Sequence, residues 1–190
     1  DDSYAGDTNG DGIATIPAKG DWGGIALAGQ EGVLNHVVIK YAGRTYWDWL
    51  YQLLPAIHVL TPNVQISNSV ISDNEYDGIR TSFGTLIPSN IIIENNTVSR
   101  NGQYGIMLGN ASARVVGNMI SENWRGMYLV ASLGSSIYLN NFVDNTYGNA
   151  SSLTSTSSWH SPEQLTYIYN GNSHTNYLGN YWDDYSETDA

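Results

Sequence analysis

A short phrase recurs four times in the middle of this chain: an aliphatic residue, two small or polar residues, Asn, an aromatic residue and then Gly. Its copies are marked by Asn74, Asn101, Asn123 and Asn145, which lie 27, 22 and 22 residues apart. A repeat period in this range marks a solenoid, in which each repeat forms one coil stacked on the last. The period therefore constrains the architecture more than any other feature of the sequence does.

Short apolar runs, such as Ile91–Ile93 and Met127–Leu129, fill the space between the repeats. Runs of three to five residues are too short for helices and are typical of β-strands. Coils that stack about 4.8 Å apart place equivalent residues above one another. Aliphatic residues then form a continuous core, asparagines form amide ladders, and Gly permits positive φ at the corners. The sequence predicts an all-β chain, a single-stranded right-handed parallel β-helix (β-solenoid) of about six coils with a short lateral insertion.

One domain, residues 1–190, is predicted, with three segments that interrupt the repeat. Residues 1–21 are polar and form an N-terminal loop or cap. Residues 44–56 form a lateral insertion, because Tyr46, Leu50 and Leu54 fall at helical spacings and Pro55 ends the segment. Residues 150–185 form a Ser/Thr-rich excursion and an aromatic final coil. A further loop is expected at residues 83–89.

Composition excludes several classes of protein. The formal net charge is −11 with only 7 Lys and Arg residues, which argues against nucleic acids and anionic membrane surfaces as partners. The chain has 0 Cys, so it has no disulfide framework and no thiol chemistry. No apolar run approaches the roughly 18–20 residues that span a bilayer. Without a signal peptide or an initial Met, the sequence is interpreted as a mature secreted chain, located outside the cell or at its surface.

One stretch near the N-terminus has the spacing of a calcium loop. Asp7, Asn9 and Asp11 occupy alternate positions and Gly12 follows them. Oxygen ligands at alternate positions can wrap one Ca²⁺ ion. The twelfth position is Ala18 rather than Glu, so the loop is not an EF-hand. A Ca²⁺ site is predicted here, and a metal-free turn is the alternative.

Acidic residues recur in one register of the repeat. Asp73, Glu122 and Asp144 directly precede the repeat asparagines, and Arg100 occupies the same position in the coil between the first two. A glycosidase needs two carboxylates about 5–10 Å apart. Because an arginine stacked between acids neutralises them, this register predicts an ion ladder on the outer face and no catalytic pair. No catalytic residue is assigned.

Two groups of aromatic residues are informative. Five residues outside the repeat are candidates for stacking on sugar rings or anchoring a partner, although covering the sides and end of the solenoid explains them equally well. These candidates are Trp47, Trp49, Trp159, Tyr181 and Trp182. The second group lies near one register of the repeat, where a structural stack is expected: Tyr76, Tyr104, Trp124 and Tyr147.

Three sequons provide candidate N-glycosylation sites at Asn95, Asn110 and Asn149. In a chain so rich in Asn, Ser and Thr, about three sequons are expected by chance, so the signal is weak. Asn110 and Asn149 fall at expected turns and are the better acceptors.

The repeat resembles right-handed parallel β-helix repeat proteins, including the NosD-like and carbohydrate-binding/sugar-hydrolase (CASH) domains. The resemblance covers roughly residues 20–185, through segments such as Ile71–Ile79 and Val98–Ile106 and the ending Asn176–Tyr185. The resemblance implies mixed functions: polysaccharide lyases and hydrolases, adhesins, surface-layer components and copper-site assembly factors.

A copper role is suggested by this resemblance alone. The four histidines are His36, His58, His160 and His174. They show no ligand spacing, although His36 and His58 lie about one coil apart and are candidates to stack. A copper site needs more ligands than these residues provide.

These observations favour an extracellular, non-catalytic structural or adhesive β-helix module. It is interpreted as a subunit of a cell-surface layer or of an end-to-end filament, with carbohydrate binding as a further expected role. The strand edges at the ends of a solenoid have unpaired backbone groups that can bond to further strands. End-to-end self-association or docking onto neighbouring solenoid repeats is therefore predicted. A polysaccharide-degrading enzyme, a glycoside hydrolase or lyase of the parallel β-helix class, is the alternative, and the question of enzymatic activity stays open.

Overall fold

A computed structural model describes residue 10 and residues 16–44, 53–81 and 90–185. Within these ranges the chain forms strands and no helix. Eighteen strands make three parallel sheets of six strands each, and two strands make an antiparallel hairpin. Sheet 1 contains β1 (Ile25–Leu27), β4 (Ile57–Val59), β7 (Ile79–Thr81), β10 (Tyr104–Gly109), β13 (Arg125–Val130) and β16 (Ala150–Leu153). Sheet 2 contains β2 (Gly32–Asn35), β5 (Val64–Ser67), β8 (Ile91–Glu94), β11 (Ala113–Val116), β14 (Leu133–Tyr138) and β17 (Thr156–Ser158). Sheet 3 contains β3 (Val38–Lys40), β6 (Val70–Ser72), β9 (Thr97–Ser99), β12 (Met119–Ser121), β15 (Asn141–Val143) and β20 (Tyr181–Trp182). The hairpin pairs β18 (Leu165–Tyr169) with β19 (Asn172–Asn176).

Successive strands visit sheets 1, 2 and 3 in turn, so the predicted parallel β-helix is confirmed. Four of the rounds, β4 to β15, form the regular body of the solenoid. The first round, β1–β3, is only partly buried, and the last round is interrupted by the hairpin between β17 and β20. The expectation of about six coils therefore counts slightly more regular turns than the solenoid contains.

Aliphatic side chains form rows inside the solenoid, as the repeat predicts. In sheet 1, Ile57 pairs with Ile79, which pairs with Ile106, and all three are fully buried. In sheet 3 the inner row runs through Ile120 and Phe142 to Trp182. Because residues alternate between the two faces of a strand, each sheet contributes one such row to the core and one to the surface.

The predicted asparagine ladder is present in full. The side-chain amide of Asn74 donates to Oδ1 of Asn101 at 2.8 Å, Asn101 donates to Asn123 at 2.9 Å, and Asn123 donates to Asn145 at 3.1 Å. All four side chains are buried. Buried amides of this kind must satisfy their own donors and acceptors, which they do from one coil to the next.

A second asparagine ladder, between sheets 2 and 3, was not anticipated. Asn96 donates to Asn118, Asn118 to Asn140 and Asn140 to Asn180, each at 2.9–3.0 Å. The first two steps span 22 residues, the same period as the repeat. That spacing was therefore a readable signal for a second ladder.

Of the four repeat glycines, Gly148 has the expected positive φ, 121°, whereas Gly78, Gly105 and Gly126 do not. Positive φ falls on the residue before each ladder asparagine, including Asp73 at 59°, Arg100 at 54° and Glu122 at 55°. Gly105 and Gly126 are needed for space instead. A Cβ on Gly105 would lie 2.7 Å from the carbonyl oxygen of Gly126, and one on Gly126 would lie 2.4 Å from that of Asn149. The corners thus accept charged side chains, while the glycines allow close contact between coils.

The C-terminal excursion begins later than expected. Ala150–Leu153 and Thr156–Ser158 pair with β13 and β14 and continue the stack, so only the hairpin leaves it. After the hairpin, Trp182 returns to the inner row of sheet 3 and stacks on Phe142, with ring centroids 4.4 Å apart. Trp159 packs beside it at 5.6 Å. These two tryptophans close the core at the last round.

Several expectations fall on residues outside the described ranges. They include most of residues 1–21 with the Ca²⁺ ligands Asp7, Asn9 and Asp11, most of the 44–56 insertion with Trp47 and Trp49, and the loop at residues 83–89. These stay predictions. Among the described residues, no helix has the length and apolar character to cross a membrane.

Candidate functional site

The outer face of sheet 1 brings together side chains that lie far apart in sequence. His58 on β4 is in register with Arg80 on β7, Arg80 with Met107 on β10, and Met107 with Tyr128 on β13. Their inward neighbours form the buried core row, so the strand alternation directs these four outward. The face begins at a pocket of about 140 Å³ lined by His58, Pro55 and neighbouring residues.

Four aromatic rings at one edge of this face form a surface that we call the aromatic ledge: Tyr104, Trp124, Tyr128 and Tyr147. Tyr104 stacks on Tyr128 with ring centroids 5.0 Å apart, and Trp124 stacks on Tyr147 at 4.8 Å. An edge-on contact of 5.7 Å between Tyr104 and Trp124 joins the two pairs. Trp124 is 41% exposed and Tyr147 is 63% exposed, so part of the ledge is accessible to solvent.

Strand pairing and backbone hydrogen bonds between turns position the ledge. The amide of Tyr147 donates to the carbonyl oxygen of Trp124 at 2.7 Å, and Tyr104 pairs with Arg125 across β10 and β13. Three of the four rings that were expected to stack, Tyr104, Trp124 and Tyr147, are in contact, and Tyr128 joins them. Because Tyr104 is in register with Arg125 and not with Trp124, a cation lies directly across from it on the next coil.

Arg125 lies against the ledge. Its guanidinium carbon is 4.9 Å from the centroid of the Tyr147 ring and 5.5 Å from that of Trp124. Its Nε is buried and makes no hydrogen bond to a described residue. Contact of a guanidinium with aromatic faces is favourable and fixes the planar group. The ledge is therefore an aromatic surface with one held cation.

A buried ion pair fixes one residue of the ledge, Tyr104. Asp77 is fully buried, and its carboxylate accepts from Nε of Arg80 at 2.5 Å and from the amide of Tyr104 at 3.1 Å. Burial raises the pKa of Asp77, which Arg80 and the Tyr104 amide oppose. Arg80 also donates to the carbonyl oxygen of Leu53 at 2.8 Å. The pair thus fixes Tyr104 and holds the end of the insertion against sheet 1.

His58 lies next to Arg80 on the same face. Partial burial, and then the positive charge of Arg80, lower the pKa of His58. The imidazole is consequently neutral at physiological pH. An adjacent arginine would also oppose a metal cation at this nitrogen.

The predicted ion ladder is present on the neighbouring corner and extends further than expected. Arg100 holds Asp73 at 2.7 Å and lies 3.9 Å from Glu122, while Lys40 lies 3.4 Å from Asp73 on the other side. Hydrogen bonding from Arg100 is the main reason why the pKa of Asp73 falls to about 2. Asp144 makes no ion pair with a described residue, and its backbone amide donates to the carboxylate of Asp183 at 2.5 Å. Asp73 and Glu122 thus take part in ion pairs at the corner and are not arranged as an acid/base pair.

We expect Asp73→Asn to remove part of the acid sensitivity of the fold. Because the folded pKa is depressed, the carboxylate stabilises the fold above pH 4 and that contribution is lost as pH falls from about 4 towards 2. Urea unfolding at several pH values in this window should give a flatter dependence for the variant. Asn tolerates the left-handed backbone at this position, so the backbone is not strained by the change. Glu163→Gln is the matched control, because Glu163 is an exposed acid with no ion pair to a described residue. If the unfolding free energy depends on pH equally in the wild type and in Asp73→Asn, the expectation is contradicted.

The histidines and methionines do not converge. All four histidines and all 3 methionines of the chain lie in the described ranges. His58 is in register with Ala26 and Arg80, so the suggested stacking of His36 and His58 is wrong. His160 packs on Tyr177 and His174 on Tyr167. No group of three or more His, Cys, Asp or Glu side chains suited to a metal ion occurs among the described residues.

The other residues proposed from sequence have separate positions. Trp159 and Trp182 pack against the core, whereas Tyr181 is 58% exposed at the last round. Of the sequon asparagines, Asn95 is exposed and Asn110 is half-buried. Asn149 is 3% exposed, and its side chain is bonded to Asn145 and Asp183. Asn149 is therefore a poor acceptor, contrary to the expectation from its turn position.

Comparison with known proteins gives one match. A model of the family described as NosD, periplasmic copper-binding protein, matches residues 57–187. No curated protein and no solved structure matches the chain. The matched segment contains β4 to β20 and therefore the whole aromatic ledge.

Proposed function

The chain belongs to the NosD family of parallel β-helix proteins, and from this premise we propose that it is a non-catalytic binding module whose aromatic ledge holds a carbohydrate. The aromatic ledge is the observation that carries the proposal. Tyr104 and Tyr128 lie on the paired parallel strands β10 and β13. Trp124 directly precedes β13 and Tyr147 lies between β15 and β16, and these two rings are 41% and 63% exposed. Exposed aromatic rings held in place by their neighbours provide apolar contact area at low entropic cost, which suits the faces of sugar rings.

The family description is periplasmic, and we place this chain in the same kind of compartment, outside the cytoplasm. Because the chain has 0 Cys, an oxidising compartment would not change it through thiol oxidation. The two asparagine ladders and the tryptophan closure supply the stability that disulfides give to other exported proteins. Surface-layer or filament assembly, docking onto neighbouring solenoid repeats and a Ca²⁺ site at Asp7, Asn9 and Asp11 remain predictions from the sequence.

Copper is part of the family description but does not fit the residues described here. The soft donors that copper prefers are imidazole, thiolate and thioether groups. The chain has no thiol, its four histidines lie at separate positions, and Met107 and Met127 are buried. His58 and Met107 share a face but are two coils apart with Arg80 between them. The proposed function therefore includes no copper step.

A polysaccharide-degrading enzyme remains the alternative. Three acids on the regular coils already have structural partners. Asp77 is paired with Arg80, Asp73 with Arg100 and Glu94 with Arg114. Binding without turnover therefore has the better support.

We expect Trp124→Ala and Tyr147→Ala to weaken sugar binding at least about tenfold, since each removes an exposed ring from the ledge. A glycan array would identify oligosaccharides that bind, and isothermal titration would measure them on wild type and variants. Tyr181→Ala, which removes an equally exposed ring at the last round, is the matched control and should bind normally. Loss of binding in Tyr181→Ala alone, or an array without any bound glycan, would overturn the proposal. Release of reducing ends or unsaturated products from a bound glycan would favour the enzyme.

A further inference from the structure

Arg125 stands out among the cations of this chain. All 7 Lys and Arg residues lie in the described ranges, and six of them place a side-chain nitrogen on a carboxylate or a backbone carbonyl. These six are Lys19, Lys40, Arg44, Arg80, Arg100 and Arg114. Arg125 makes neither kind of contact with a described residue; its neighbours are aromatic rings.

The lack of an acidic partner is unusual in this composition. Acidic residues outnumber basic ones, 18 to 7, so a cation would readily find a carboxylate if the fold used it for charge balance. Instead Arg125 has two aromatic neighbours, and among the described residues no acceptor bonds its buried Nε. A guanidinium that is held by aromatic rings and not by an acid has terminal donors that no described residue uses.

We propose that the sugar bound at the aromatic ledge carries a carboxylate, as uronic acids do, and that Arg125 binds this carboxylate. This inference rests on the proposed function. Because Nε is buried, the two terminal nitrogens of the guanidinium are the donors that match a carboxylate, and the rings of Trp124 and Tyr147 lie against the group. The ledge rings lie beside it, so one sugar can stack on a ring while its carboxylate reaches the cation. Asp77 does not compete for the ligand, because it is buried and paired with Arg80.

The test compares ligands that differ only in charge. Isothermal titration at fixed ionic strength would use oligomers of galacturonate, glucuronate and mannuronate and their methyl esters, in which the carboxylate is neutralised. We expect the acid form to bind at least about tenfold more tightly than its ester. Arg125→Gln should abolish this difference, and Arg125→Lys should retain part of it because the charge remains but the planar fork does not.

Arg114→Gln is the matched control, because it removes an arginine that is paired with Glu94 on sheet 2, and its discrimination should equal that of the wild type. Thermal melts establish that each variant is folded at the titration temperature. If acids and esters bind equally well to the wild type, the carboxylate inference is overturned while the sugar-binding proposal stands. Acid preference that survives in Arg125→Gln also overturns the inference. If neither the acids, the esters nor any neutral glycan binds, the proposed function itself fails.

Discussion

Replacing Asn123 by Ala is expected to lower the free energy of unfolding by about 3 kcal/mol or more, a large share of the stability of a domain of this size. The side chain is fully buried and makes four hydrogen bonds. It accepts from the amide and the side chain of Asn101 at 3.0 and 2.9 Å. It donates to the carbonyl oxygen of Val98 at 3.0 Å and to Asn145 at 3.1 Å. Alanine would leave these buried partners without water or protein to replace the lost bonds, and that penalty exceeds the value of the bonds themselves.

Urea unfolding followed by circular dichroism would measure the loss. Asn141→Ala is the matched control, because Asn141 is an exposed strand residue with no side-chain hydrogen bond to a described residue. Its effect should stay within about 0.5 kcal/mol. Similar small losses of unfolding free energy in both variants would contradict the expectation that the buried ladder stabilises the fold.

The first asparagine ladder was predictable from the sequence, because stacked coils of equal length place residues with the same repeat position directly above one another. Once Asn101, Asn123 and Asn145 recur at one interval, parallel coils must place them above one another, whatever the details of each turn. The corner ion ladder of Asp73, Arg100 and Glu122 follows from the same logic. Register also explains the second ladder, since Asn96 and Asn118 are separated by the same interval of 22 residues.

The candidate binding surface was not predictable in the same way. The repeat assigns Tyr104 and Trp124 to nearby positions, but only the strand register shows that Tyr104 is aligned with Arg125. A displacement of one residue changes which side chains are neighbours across coils, and a period with unequal turns does not fix that displacement. The sequence directed attention to residues that interrupt the repeat, whereas the described structure places the aromatic ledge within it.

The end of the solenoid explains the positions of two of the aromatics that interrupt the repeat. Tryptophans such as Trp159 and Trp182 often line binding sites. A stack of coils must also cover its apolar core at the last round, and tryptophans serve that purpose too. Trp182 fulfils this need because it continues the inner row of sheet 3 and covers Phe142, which is fully buried. Nothing in a single sequence distinguishes a tryptophan that covers a core from one that awaits a ligand, since both interrupt the repeat.

Trp182→Ala is accordingly expected to destabilise the protein by about 3 kcal/mol, the lower end of the range for loss of a large aromatic side chain from a core. The change removes a ring stacked at 4.4 Å on Phe142 and exposes the end of the apolar core to water. Urea unfolding would measure the loss, and Trp182→Phe should restore much of it because a ring remains over Phe142. Trp124→Ala is the matched control: Trp124 is 41% exposed on the aromatic ledge, so its removal should cost about 1 kcal/mol or less.

Hydrogen exchange would locate the effect along the solenoid. Since each coil contacts only its neighbours, loss of the closing ring should raise exchange first in β14, β15 and the last round, while β7 to β9 keep their protection. A uniform rise in exchange would instead mean that the solenoid unfolds as one cooperative unit. Equal destabilisation by Trp182→Ala and Trp124→Ala would contradict the distinction between a tryptophan that closes the core and one that forms the ledge. The same pair of variants therefore tests the stability argument and the binding assignment, because only Trp124→Ala should weaken sugar binding without a matching loss of stability.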